Sequence, residues 1–152
     1  MRPRAACLAL LSTAALLASG CSYTPTFGFP IEEGDIDAGR QAFIDHRCHQ
    51  CHSVAGVSLP ALAGASNVML ELGGETAYVR SYAELVTSVI NPNHELSERY
   101  REQQLLERGV LPIESPMPMP HIDTMTVRQM IDLVVFLDSR YVLVDGYVSA
   151  DR

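Results

Sequence analysis

The chain has 152 residues, 47 % of them apolar and 19 % charged, enough apolar material for one packed domain and too much for a disordered chain. Eleven basic residues, all Arg, stand against 18 Asp and Glu, a formal charge of −7 that argues against a nucleic-acid binder. No apolar run reaches the ~20 residues that span a bilayer.

Residues 1–20 carry Arg2 and Arg4, then an apolar stretch from Ala5 to Ala18, then Ser19 and Gly20 before Cys21. Such an order predicts a secretory signal peptide. A cut directly before a Cys resembles the bacterial lipoprotein signal, which implies that Cys21 carries lipid and becomes the new N-terminus. Removing residues 1–20 takes away two Arg and no acid, leaving nine Arg against 18 acids, a charge of −9. Residues 21–34 hold Pro25, Gly28, Pro30 and Gly34 with no helical period, and read as the lipidated Cys and a flexible tether. The folded body is expected over 35–152.

A helical pattern follows, with Asp37 as a candidate cap and Gly39 and Phe43 on one face at i and i+4. It leads into Cys48-His49-Gln50-Cys51-His52. C-x-x-C-H is the attachment motif for c-type haem. Two thiols three residues apart can each reach a vinyl group on one edge of the porphyrin, and the following His then places its imidazole at the iron. Three other readings compete. A thioredoxin-like C-x-x-C wants a strand before it, where here a helical pattern stands. A zinc site wants two further ligands at related spacing, and His94 and His121 are distant and unpaired in sequence. A Cys48–Cys51 disulfide would close a loop too short to stabilise much.

Gly39, Phe43 and Cys48 stand at the spacing found in the N-terminal helix of class I cytochromes c, and the chain resembles that family over about Asp35 to Tyr141. The resemblance implies an all-α fold, with three to four helices around one covalently attached haem. Leu59-Pro60 is similar to the family's Pro after the motif, whose carbonyl would accept a hydrogen bond from His52.

Leu70 to Tyr78 is mixed, and Gly73-Gly74 suggests a small hairpin. Tyr82 to Ile90 carries apolar residues at i, i+3, i+4, i+7 and i+8, a helical stripe stopped by Asn91-Pro92-Asn93. Leu96 to Arg108 is polar helix-former material, longer than a minimal cytochrome c requires, and reads as an exposed helix or an insertion. Arg80 is a candidate partner for a haem propionate, with a solvated Arg as the plainer reading.

From Gly109 to Pro120 the prolines exclude helix and regular sheet. Thr126 with Gln129 forms a capping box, followed by Val127, Met130, Ile131, Val134, Leu137 and Tyr141 at helical spacing. In the family, the second axial ligand is a Met in such a loop before the last helix, and Phe136 or Tyr141 would supply that helix's aromatic contact. Met117 and Met119 both qualify. Two residues apart in an extended segment, they point to opposite sides, so one alone would face the haem. The longer loop left to Met117 favours it, with Met119 as the alternative and His94 or His121 behind both.

The resulting expectation is a periplasm-facing electron-transfer protein with one haem c, held by Cys48, Cys51 and His52 and completed by Met117 or Met119. Its lipid anchor at Cys21 would place it at the cell envelope. No Asp follows Cys21 to resemble an inner-membrane retention signal, which favours the outer membrane. Its redox partners would carry a basic docking patch. Two alternatives remain: a cytochrome subunit of a larger membrane-associated oxidoreductase, and a haem sensor or peroxidase-like enzyme with an open iron site.

Overall fold

The computed structural model describes residues 34–62, 64, 69–118 and 123–146. The expected signal peptide (1–20), Cys21 and nearly all of the tether lie outside the described residues, as do Met119 and His121.

Helix α1, Ile36–Asp45, starts at Asp35. The Asp35 carboxylate accepts the Ala38 N–H at 2.8 Å, so Asp35 and not Asp37 is the cap. Asp37 stands in the first turn, where its charge complements the helix dipole. After α1 the chain turns through Arg47, the one non-Gly residue at positive φ (58°) among those described, into a 3-10 turn over Cys48–Gln50. Strand β1 is His52–Val54, β2 is Leu70–Leu72 and β3 is Gly74–Thr76. Helix α2, Tyr82–Ile90, opens with a Ser81–Glu84 capping box. Helix α3, Glu98–Arg108, is capped by Ser97. Helix α4, Val127–Asp138, opens with the Thr126–Gln129 capping box, and strand β4, Tyr141–Leu143, follows it.

An all-α fold is therefore not what the chain adopts. The described residues combine four α-helices with two parallel two-stranded sheets, β1 with β2 and β3 with β4. The expected hairpin within Leu70–Tyr78 is absent for the same reason. β2 and β3 are consecutive but pair with different, remote strands. Gly73 and Gly74, at φ 81° and 83°, turn the chain from one sheet to the other, and a Cβ on Gly73 would lie 2.7 Å from that of Arg140. Each strand is three residues long, too short to show a period of two.

Helices α1 and α4 pack most extensively. A Cβ on Gly39 would collide with the Asp132 carbonyl, so glycine permits the close approach of the two backbones. Phe43 and Phe136 meet edge to face, 5.9 Å between centroids, which assigns the aromatic contact of the last helix to Phe136. Ala42, Leu133 and Leu137 complete this core from the two helices, with Val54 and Val89 from β1 and α2. The buried Asp132 carboxylate accepts the Asp35 N–H at 2.9 Å, tying the start of α1 to α4.

Candidate functional site

One cavity of about 270 Å³ opens between α1, the 3-10 turn, β1, α2, α3 and the loop before α4. Its lining brings Cys48, Cys51 and His52 together with Met117, from the far end of the chain. Phe43, Leu85, Val89, Leu133 and Leu137 give it a mostly apolar wall.

The turn that carries the two thiols is built by Arg47. Its left-handed backbone reverses the chain after α1, its N–H bonds to the Ile44 carbonyl at 2.9 Å, and its own carbonyl accepts the Gln50 N–H at 2.9 Å. Cys48 and Cys51 are both free thiols. Cys48 packs against the helical core, and burial pushes its thiol up to about 11, which the proximity of Cys51 reinforces and its own backbone N–H opposes. A neutral, half-buried thiol with its pKa raised is the opposite of the lowered thiolate that a thioredoxin-like redox site needs.

His52 begins β1, and the parallel pairing with β2 fixes its backbone on both sides. The Leu70 N–H bonds to the Cys51 carbonyl, and the Ala55 N–H to the Leu72 carbonyl, both at 2.9 Å. Burial lowers the imidazole below its ordinary range, and the nearby Leu70 backbone only partly opposes this. The ring is thus neutral at pH 7, the form that ligates metals. Nδ1 is buried with no hydrogen-bond partner. The expected bond from His52 to the Pro60 carbonyl is not made through that atom, and Pro60 is exposed. Two residues earlier, Arg40 Nη2 donates to the Ser58 carbonyl at 2.7 Å and holds that segment toward α1.

Met117 is half-buried in the cavity wall. Its N–H bonds to Ser115 Oγ at 3.2 Å, and the Ser115 N–H bonds to Asn93 Oδ1 at 2.7 Å. Asn93 therefore pins the Met117 loop to the end of α2. In the sequence Asn93 stands only as part of a helix stop, since nothing in a sequence pairs a side chain with a backbone group 22 residues away.

Arg80 lies at the cavity too, but it makes a bidentate pair with Glu95 at 2.9 and 3.2 Å. It is neither a lone solvated cation nor an unpaired one. The Glu95 carboxylate is held low by that pair, and both side chains remain part-exposed. Tyr100, buried on the inner side of α3, gives the cavity a wall that the sequence reading did not assign. Among the described residues, no three His, Cys, Asp or Glu side chains converge as a metal-binding group. No helix among them is long and apolar enough to cross a membrane. No protein-family model, curated protein or solved structure matches the chain.

Proposed function

We propose that the chain carries one covalently attached c-type haem and transfers electrons without transforming a substrate. One observation carries this reading. The cavity that takes up all three chemical groups of C-x-x-C-H also takes up Met117. The residues present fit the group. The wall is apolar, both cysteines are free, and the His52 imidazole is favoured in its neutral form.

Cys48 and Cys51 would hold the haem through thioether bonds, and His52 and Met117 would ligate its iron. When bound, such a haem supplies one-electron exchange, and a thioether ligand raises its potential by favouring ferrous iron. The apolar wall excludes water, which keeps reorganisation small as the charge changes. Parallel pairing with β2 holds the His52 backbone on one side, and Asn93 holds the Met117 loop on the other.

The proposal extends to location and partners. Lipid on Cys21 would anchor the chain at the cell envelope, facing the periplasm. Its charge of −9 after signal removal would favour partners with a basic patch.

The test is expression together with haem-attachment machinery, followed by denaturation. Haem should stay with the polypeptide in acid-acetone, and Cys48→Ala with Cys51→Ala should abolish this. Release of haem from the denatured wild-type chain would overturn the covalent assignment. Met117→Ala should convert a low-spin six-coordinate spectrum to a high-spin or water-ligated one and lower the potential. An unchanged spectrum would remove Met117 from the iron.

A further inference from the structure

Five large apolar side chains stand in solvent between residues 105 and 113: Leu105, Leu106, Val110, Leu111 and Ile113. Leu106 is 87 % exposed and Ile113 is 90 % exposed. Side chains so exposed contribute little to the core, five of them fall within nine residues at the end of α3 and in the loop after it, and apolar patches on a soluble surface mark interaction sites.

The patch belongs to the walls of the cavity. Helix α3 carries Leu105 and Leu106 outward and buries Tyr100 in the cavity lining. The loop that begins with Val110 and Leu111 runs on through Ser115 and Pro116 to Met117, all three in that lining. A protein seated on the patch would therefore lie against the elements that carry Met117. Electron transfer falls off steeply with distance, so a redox partner needs such a position.

We propose that this patch is the docking site for a redox partner, a basic protein with an apolar contact face. This rests on the haem-carrier reading above. Charge selects the occupant. Residues 96–114 hold four acidic residues and three Arg, a net −1, so −8 of the −9 expected after signal removal lies elsewhere. The long-range field attracts a basic protein and repels a second copy of this chain or an anionic lipid surface. At contact, burial of the exposed Leu106 and Ile113 side chains would supply the apolar centre that a protein interface requires.

The experiment follows stopped-flow oxidation of the haem-loaded chain by a small, strongly basic monohaem cytochrome. Leu106→Asp with Ile113→Asp is compared with a control pair on other elements, Val127→Asp with Val142→Asp, both exposed. Each pair adds two negative charges, so steering alone would speed both reactions. Loss of apolar docking should instead slow the patch variant roughly tenfold, with its spectrum and potential unchanged and the control not slowed. Equal rates for the two variants would overturn the proposal. So would a wild-type dimer in sedimentation that the patch substitutions dissolve, since the occupant would then be a second copy. Flotation of a Cys21→Ser chain with phosphatidylcholine vesicles, lost on adding the patch substitutions, would assign the patch to lipid and overturn it equally. A chain that takes up no haem would overturn the underlying reading, a result distinct from a haem-loaded chain whose rate ignores the patch.

Discussion

The Cys48 thiol is the group whose chemistry the fold alters most. Burial raises it from 9.0 to about 11, so the folded haem-free chain keeps its proton where an unfolded chain would lose it. The stabilisation this represents is fully present below about 9 and is lost as pH rises through about 11. Haem-free protein should therefore lose stability over that window in denaturant titrations. Its Cys48 should alkylate slowly at pH 8 and faster toward 11. In the haem-loaded chain both sulfurs would be thioethers, and the effect should vanish. A pH dependence identical in the two forms would contradict thioether attachment at Cys48. Asn93 offers a second residue-scale test. Asn93→Ala removes the acceptor for the Ser115 N–H, at a cost of about 1 kcal/mol. With its loop loosened, Met117 should yield more readily to added imidazole at the ferric iron. Unaltered imidazole affinity would mean that Asn93 has no part in holding Met117.

Among the elements, the crossing of α1 over α4 is the least tolerant of change. Gly39→Ala would ordinarily stabilise a helix interior by about 0.5–1 kcal/mol. Here the new Cβ meets the Asp132 carbonyl, and prying the helices apart should cost about 1–3 kcal/mol instead. Thermal unfolding would show the sign, and a Tm at or above wild type would mean that the helices are not so closely crossed. This crossing was legible in the sequence because its signals are local: a Gly and an aromatic at i and i+4, and a capping box four residues long. Helices α2 and α4 were legible through their 3.6-residue stripes. The two sheets were not. His52↔Leu70 and Gly74↔Tyr141 are pairings of three-residue strands held by backbone bonds, with no side-chain pattern to announce them. In the candidate site, Cys48, Cys51 and His52 were readable as a contiguous motif, and Met117 through its Pro-rich loop. Asn93, Glu95 and Tyr100 depend on distant segments meeting, which spacing along the chain does not encode.

At the scale of the molecule, charge and the proposed anchor would decide whom the chain meets. Lipid on Cys21 would add more than one acyl chain, each contributing roughly 0.8 kcal/mol per buried CH₂, enough for stable attachment. Cys21→Ser should accordingly appear in the soluble periplasmic fraction or remain unprocessed, and a processed variant still in the membrane would remove the lipid anchor from the proposal. The released chain then permits the electrostatic experiment. Its nine Arg against 18 acids give a field that two haem propionates would deepen. Redox encounters are small and transient, so this field acts on the rate of meeting more than on the strength of the complex. Raising salt from ~10 to ~300 mM shortens the screening length from about 30 Å to under 8 Å. Oxidation of the reduced chain by a small basic cytochrome should slow markedly over that range, while oxidation by an acidic one should speed up as repulsion is screened. The opposite signs matter, because a general effect of salt on the haem or on the fold would move both rates the same way. Rates that ignore salt for both partners would leave the acidic surface without a role in recognition, and the apolar patch at residues 105–113 would then have to select partners by shape alone.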